Sequence, residues 1–237
     1  IMAASTVDIP AIVLSGGPML DGWHEGELVG SGTVIWRSRR KLAAGEIDEE
    51  EFLRRACDSA PSAGHCNTMG TASTMNAVAE ALGLSLPGCA AIPAPYRERG
   101  QIAYETGRRI VDMAYEDLRP SRILTRDSFL NAIRVVSAIG GSSNAQPHIV
   151  AMARHAGVEI RSGDWTEFGY DIPLLVDCQP AGRFLGERFH RAGGVPAVLN
   201  ELAGAGLLAT DCLTVTGRTI GENIAGRAAT DREVIRP

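Results

Sequence analysis

The amino-acid sequence predicts an α/β fold, a layered domain with a largely parallel sheet flanked by helices. Short apolar runs alternate along the chain with longer helical patterns, which is typical of such domains. Three of these runs are rich in Val, Ile, Leu or Thr and are bounded by Gly, Pro or Asp: Ile9 to Ser15, Ile172 to Asp177 and Cys212 to Thr216. Runs of this length and content favour buried strands.

Five segments have the spacing or the terminal residues of helices. Asp48 to Arg55 opens with acidic and closes with basic side chains, as the helix dipole prefers. Ala72 to Leu82 places apolar residues at helical spacing, and Gly83 is suited to end it. The other three are Ser143 to His155, Gly182 to Ala192 and Pro196 to Ala203. The proline-rich stretch Gly88 to Arg99 predicts an ordered loop.

Composition limits the class of protein. The chain has 237 residues, 45% of them hydrophobic, with a net charge of −5, so we expect a soluble protein that binds neither nucleic acid nor an anionic membrane surface. No apolar run approaches the roughly 20 residues that span a bilayer. Five cysteines without a CxxC pair, and no secretory signal, favour the cytoplasm. Both ends look abrupt, so we expect residues 1–237 to be one partial domain.

The loop Ser59 to Asn76, SAPSAGHCNTMGTASTMN, is the strongest candidate site. Its Cys66 lies among small residues just before a predicted helix, where small side chains leave room for a bulky cofactor and the helix N-terminus favours a thiolate. Three interpretations stay open on the residues alone: a half-buried structural thiol, a metal or cluster ligand, and a nucleophile beside His65. Neighbouring side chains on extended backbone point apart, which disfavours the nucleophile.

Two further loops are candidates for binding a small molecule. The run SGGP, with Ser15, Gly16 and Gly17, follows a predicted strand and either lines a site or forms a tight turn. The run GGSSN, with Ser143 and Asn144, opens a predicted helix and offers backbone amides to a carboxylate, or is an ordinary cap. Neither run has the GxxxxGK[ST] or GxGxxG pattern of a nucleotide-binding loop.

Four separated segments resemble one known family, the dihydroxy-acid and sugar-acid dehydratases, also called the IlvD/Edd family. They follow the family order and cover nearly the whole chain: DIPAIVLSGGPM from Asp8, GHCNTMGTASTMNAVAEALGLSLPG from Gly64, GGSSNAQPH from Gly140 and DCLTVTGRTIGENI from Asp211. The resemblance implies an enzyme, a hydro-lyase, whose N-terminal α/β domain is partly present here and whose C-terminal β-rich domain is absent.

The resemblance also implies cofactors and site residues. In this family a cysteine three residues before the methionine of the GHCNTMGT loop binds a 2Fe-2S cluster, and Cys66 has that place before Met69. The other two cluster cysteines, the Mg²⁺ ligands and the catalytic base belong to family segments that this chain lacks, so no catalytic residue is assigned within it. His65, Asn67 and Thr68 are candidate substrate-binding residues by adjacency to Cys66.

The run GHCNTMGT is most similar to the pentonate dehydratases, which act on L-arabinonate or D-xylonate. The resemblance therefore implies dehydration of an aldonic acid to a 2-keto-3-deoxy acid by a homodimer or homotetramer, with the cluster and Mg²⁺ as Lewis acids. The alternatives are the branched-chain dihydroxy-acid dehydratase, the phosphogluconate dehydratase, and an inactive fragment or dimerisation module. Cys57 is interpreted as structural, and the basic run RSRRK that ends at Lys41 as a solvated helix face.

Overall fold

The computed structural model describes residues 1–237, and most of its regular structure is helical. One antiparallel hairpin is formed by β1 (Gly22–His24) and β2 (Glu27–Val29). The twelve helices are α1 (Met2–Val7), α2 (Thr33–Ala43), α3 (Glu49–Asp58), α4 (Thr71–Ala81), α5 (Arg97–Glu116), α6 (Pro120–Ile123), α7 (Arg126–Ala138), α8 (Ala145–His155), α9 (Gly163–Phe168), α10 (Gly186–Arg191), α11 (Gly194–Gly204) and α12 (Ile220–Ile224).

The predicted parallel sheet is corrected by the structure, which has only the two-stranded hairpin. Each of the three predicted strands is irregular backbone, and each is hydrogen-bonded to a different segment of the chain. In the segment 9–15, the amide of Val13 donates to Leu84 O at 2.8 Å. In the segment 172–177, Val176 forms an isolated antiparallel bridge with Ile235. In the segment 212–216, the amide of Val215 donates to Gly83 O at 2.8 Å. Single hydrogen bonds of this kind do not build a ladder.

The helix predictions are confirmed with shifted ends. Helix α3 begins after Asp48, whose side chain accepts a hydrogen bond from the amide of Glu51 at 2.8 Å. Helix α4 ends at Ala81, and Gly83 has a positive φ of 79°. Helix α8 begins at Ala145, two residues after the predicted start at Ser143, and its N-cap Asn144 makes no side-chain cap hydrogen bond. The helix predicted from Gly182 is only the short α10.

Two long helices were missing from the sequence prediction. Helix α5 follows the proline-rich loop and has only three buried residues in 20, so its apolar pattern is weak. Helix α7 is almost entirely buried and has a capping box in which Thr125 and Ser128 exchange hydrogen bonds. A capping box of this kind is a sequence signal for the start of a helix.

The hydrophobic core is one cluster of 45 buried residues centred on α4, α7 and α11. Helix α4 packs against α7 and α11. Val78 and Ala81 of α4 belong to this cluster, as do Val198 and Leu202 of α11. Because α4 is anchored in this core, its N-terminal end holds the preceding loop, residues 59–70, at the protein surface. None of the helices is both long and apolar enough to cross a membrane.

Candidate functional site around Cys66

Cys66 lies in the loop between α3 and α4, and its sulfur is only partly covered. Two hydroxyl groups approach it. The Ser31 hydroxyl donates a hydrogen bond to Cys66 Sγ at 3.0 Å, and Thr68 Oγ1 lies 2.9 Å from the same sulfur. Two hydroxyl groups from different segments thus contact the sulfur of a partly exposed cysteine.

The SGGP run is held against the Cys66 loop by backbone hydrogen bonds. The amide of His65 donates to Gly17 O at 3.0 Å, and the amide of Met19 donates to His65 O at 2.8 Å. Gly64 permits this approach, since a Cβ at that position would lie 2.5 Å from the Met19 nitrogen. The structure therefore brings together two runs that the sequence singled out separately.

Within SGGP, the Ser15 side chain is not free to bind a substrate. It is buried and donates to Cys89 O at 3.1 Å, while its own carbonyl accepts from Arg99 Nη1 at 2.7 Å. Gly16 is exposed with open space around it, whereas Gly17 lies against Ile92 and Arg99. A site-lining role in this run is thus compatible with Gly16 and disfavoured for Ser15.

His65 is occupied by the loop and the following helix. Its Nδ1 lies 2.9 Å from Cys66 O, and its Nε2 lies 2.7 Å from the Asn76 side-chain nitrogen. These partners assign the proton to Nδ1 and let Nε2 accept from the Asn76 amide. Burial lowers the pKa of His65, which agrees with a neutral ring. No hydrogen bond joins the ring to Cys66 Sγ, so the nucleophile pair has no support in the geometry.

Asn67 lies beneath the cysteine and is fully buried, with 0% exposure. Its Oδ1 accepts from the Ser31 amide at 2.9 Å and from the Ser31 hydroxyl at 3.1 Å, and its Nδ2 donates to Leu20 O at 2.9 Å. Thr68 is also buried. The predicted substrate-binding role of Asn67 therefore competes with a structural role, because its side chain positions the serine that contacts the sulfur.

The GGSSN run meets the first turn of α4. Asn144 Nδ2 donates to Thr71 Oγ1 at 2.9 Å, and the Ser142 amide donates to Thr74 Oγ1 at 3.0 Å. Ser143 is exposed and makes no side-chain hydrogen bond. This third run therefore reaches the same end of α4 that carries the Cys66 loop, and Ser143 is its most available hydroxyl.

The other four cysteines do not join Cys66. Cys57 is exposed on α3, and no disulfide is present. Cys89, Cys178 and Cys212 are buried, and burial raises the pKa of Cys178 to about 12, so that this thiol stays protonated. No group of three His, Cys, Asp or Glu side chains is placed to hold a metal ion. Cys66 thus has no second cysteine beside it, and a cluster bound there would need ligands from other segments.

Sequence reasoning missed several residues that shape this site. Ser31 is separated from Cys66 by 35 positions, and only the surrounding run of small residues, GSGT at 30–33, hinted at a loop. Gln179 contacts the site from still farther along the chain: its carbonyl accepts from the Met69 amide at 2.7 Å, and its side chain accepts from Thr33 Oγ1. No sequence signal marked Gln179.

An open cleft of about 370 Å³ adjoins the cysteine. Its walls come from the start of α2, from the residues just before α4 and from the turn at Pro180: Gly32, Thr33, Trp36, Arg37, Thr68, Gly70 and Pro180. The partly exposed cysteine, the two serine- and glycine-rich loops and the adjacent cleft together form the candidate functional site.

Comparison with known proteins identifies the family. The sequence profile described as "Dihydroxy-acid/6-phosphogluconate dehydratase N-terminal" matches residues 1–223. The chain therefore belongs to the dihydroxy-acid/6-phosphogluconate dehydratase family, as its four motifs predicted.

Among individual relatives, the chain is 76% identical over 237 residues to a D-xylonate dehydratase of Caulobacter vibrioides. It is 47% identical over 237 residues to an L-arabinonate dehydratase of Rhizobium leguminosarum bv. trifolii, and 47% identical over 236 residues to a dihydroxy-acid dehydratase of Caldanaerobacter subterraneus subsp. tengcongensis. Each match covers 100% of this chain but only 40%, 41% and 42% of the respective relative. The chain thus spans about two fifths of the length of these proteins.

Proposed function

We propose that this chain is part of a sugar-acid dehydratase, a hydro-lyase that converts an aldonate of the D-xylonate or L-arabinonate type to a 2-keto-3-deoxy acid. The observation that carries the proposal is the setting of Cys66, a partly exposed thiol with two hydroxyl groups at 3.0 and 2.9 Å from its sulfur. The 76% identity to a D-xylonate dehydratase supports the substrate class.

Cys66 fits the role of one thiolate ligand of a 2Fe-2S cluster. Gly32 lies beside the sulfur, where a Cβ would be 3.5 Å from Cys66 Sγ, so glycine at this position keeps a side chain from crowding the sulfur on the cleft side. When bound, such a cluster would supply a Lewis-acidic iron that assists departure of the substrate hydroxyl.

The chain's own residues would hold and tune that ligand. Ser31 and Thr68 direct hydroxyl groups at the sulfur, which stabilises negative charge on it. Asn67 fixes Ser31 from below, and His65 ties the loop to α4 through Asn76. Gly16, Ser143 and Asn144 remain candidates for substrate contacts, since all three are exposed. Gly16 lies in the run that is hydrogen-bonded to the Cys66 loop, and the other two lie in the run that contacts the first turn of α4.

No group of three His, Cys, Asp or Glu side chains in this chain is placed to hold a metal ion. We keep Mg²⁺ as a proposed second cofactor of the whole enzyme, with ligands outside residues 1–237, and assign it no step. We also propose that the enzyme is a cytoplasmic homodimer or homotetramer, which light scattering of the purified protein would test.

The proposal is tested by iron and acid-labile sulfide content, with visible absorbance, on the full-length protein and on Cys66→Ser. We expect the serine variant to lose most of its iron. Cys57→Ser is the matched control, because Cys57 is exposed and is interpreted as a structural residue. The Cys57→Ser protein should keep its iron. Equal cluster content in the Cys66→Ser variant would overturn the assignment.

The substrate class is tested separately by assaying the wild-type enzyme on D-xylonate, L-arabinonate, 6-phosphogluconate and 2,3-dihydroxy-3-methylbutanoate. We expect the two pentonates to have the highest kcat/KM. A preference for the branched acid would favour a dihydroxy-acid dehydratase, the name carried by one relative at 47% identity.

A further inference from the structure

Helix α2 is unusual in its charge. It carries four basic residues and no acidic one, although the chain as a whole has a net charge of −5: Arg37, Arg39, Arg40 and Lys41. This run was expected to be a solvated helix face, and all four basic residues are exposed. Arg37 also lines the cleft beside Cys66 and makes no ion pair or side-chain hydrogen bond. A guanidinium that lacks a protein partner offers its donors to a ligand.

The cleft opens directly onto the surroundings of the cysteine. Thr68 lines it and also lies 2.9 Å from Cys66 Sγ. Gly32 lines it as well, and a Cβ at Gly32 would lie 3.5 Å from the sulfur. A small molecule with one end at a centre held by Cys66 would therefore extend its other end into this cleft.

The lining is suited to hydroxyl groups rather than to an aliphatic chain. No Leu, Ile, Val, Met or Phe side chain contributes to it. Trp36 is 69% exposed and offers the one broad apolar surface. The face of an aromatic ring packs well against the C–H bonds of a polyol, and the Arg37 guanidinium can donate to several hydroxyl oxygens at once.

The N-termini of two helices also lie at the cleft. Gly32 is the N-cap of α2 and Gly70 is the N-cap of α4, and neither terminus has a side-chain cap hydrogen bond. In α2 the Val34 amide already donates to Gly30 O at 2.9 Å, so the contribution of this terminus is its dipole, and both helix dipoles favour an anionic molecule. These features reinforce the Arg37 and Trp36 lining, which carries the argument.

We propose that this cleft is the subsite for the distal hydroxylated chain of the sugar acid, with Arg37 donating to its hydroxyl groups and Trp36 packing against its carbon chain. The inference rests on the proposed function and extends it, because it names the surface that would select a polyhydroxy acid over a branched-chain acid. The aliphatic chain of a branched acid would contact no aliphatic side chain in the cleft. A bound branched acid would also leave the Arg37 guanidinium without hydroxyl partners.

The test uses the full-length enzyme and compares wild type with Arg37→Met and Trp36→Ala. Two ligands are measured: a five-carbon aldonate as substrate, and 2,3-dihydroxypropanoate as competitive inhibitor, which has the reacting carbons without the distal hydroxyls. We expect Arg37→Met to raise KM for the aldonate about tenfold or more, because one charge-assisted hydrogen bond is lost. The value of kcat should change little. The inhibition constant of the short acid should stay within about twofold of wild type.

The matched control is Arg40→Met, which removes the same charge from the same helix at a position outside the cleft lining. It should leave both constants within about twofold of wild type. The subsite is refuted if Arg37→Met leaves KM unchanged, if both ligands weaken by the same factor, or if the variant loses iron. Equal weakening would indicate general attraction of anions, and iron loss would indicate a role in supporting the Cys66 loop.

The wild-type enzyme alone distinguishes failure of the proposed function from failure of the proposed subsite. If the wild-type enzyme dehydrates no aldonate, the proposed reaction is wrong whatever the variants do. Calorimetric binding of the five-carbon aldonate to wild type and to Arg37→Met then decides the cleft independently, since equal affinity would overturn the subsite and at least tenfold weaker binding by Arg37→Met would support it.

Discussion

Asn67 is the residue whose removal should disturb the site most without touching a ligand. Its side chain joins three segments: the Leu20 carbonyl accepts from Nδ2 at 2.9 Å, and the amide and hydroxyl of Ser31 donate to Oδ1 at 2.9 and 3.1 Å. Asn67 is fully buried at 0% exposure, so water does not replace these partners in the native state. Asn67→Ala would leave the Leu20 carbonyl and the Ser31 amide without their partner.

Each buried polar group left unsatisfied costs about 1–3 kcal/mol, so we expect Asn67→Ala to lower the free energy of unfolding by about 2–6 kcal/mol. Urea denaturation of the purified protein, followed by circular dichroism, measures this change. Asn144→Ala is the control, because Asn144 is exposed and bonds only to Thr71 Oγ1 through its side chain, and its effect should stay within about 0.5 kcal/mol. A loss below about 1 kcal/mol for Asn67→Ala would refute the argument that this amide joins the segments.

Two further predictions concern buried titratable groups. Burial raises the pKa of Glu80 to about 7, and its carboxylate accepts from the Gly88 and Ala90 amides at 2.6 and 2.8 Å. The ionised form of Glu80 is therefore disfavoured in the folded state, so the stability of the wild type should fall as pH rises from about 4.5 to about 7. Glu80→Gln stays neutral and should lose less stability over this range, whereas exposed Glu105→Gln should follow the wild type; equal falls for the two variants would contradict this. Burial lowers the pKa of His65, so the folded state binds fewer protons than the unfolded state, and the His65 contribution to stability should be complete above its ordinary pKa of 6.5 and lost as pH falls below it. His65→Gln should flatten the fall in unfolding free energy between pH 7.5 and pH 5.5, and a steeper fall in this variant would count against the neutral ring.

Much of the helical structure could be predicted from the sequence, because helices are stabilised by contacts between residues three and four positions apart. Asp48 with its following acidic residues predicted the start of α3, and Gly83 marked the end of α4. Helix α7 was not predicted, although the Thr125 and Ser128 box that starts it is a local signal of the same kind. Helix α5 was harder, because its few buried positions give only a weak periodic signal.

The sheet could not be predicted reliably from the same sequence. An apolar run such as 212–216 shows that a segment is buried and extended, but it does not show which backbone will accept its hydrogen bonds. In the structure Val215 donates to Gly83 O, beside the end of α4, and forms no ladder with the other extended segments. The run 212–216 therefore predicted burial correctly and strand pairing wrongly, whereas in the run 9–15 burial was predicted wrongly as well, since Ile9 and Leu14 are 58% and 44% exposed.

The sequence by itself determined the family, through four motifs in order, and it determined that Cys66 lies in a small-residue loop before a helix. Only the tertiary structure decided what surrounds the sulfur. Ser31 reaches Cys66 from 35 positions away because buried Asn67 fixes it, and Arg37, which stays exposed, lines the cleft beside the cysteine. Contacts between distant segments depend on how the whole core packs, and no local pattern of residues encodes that packing.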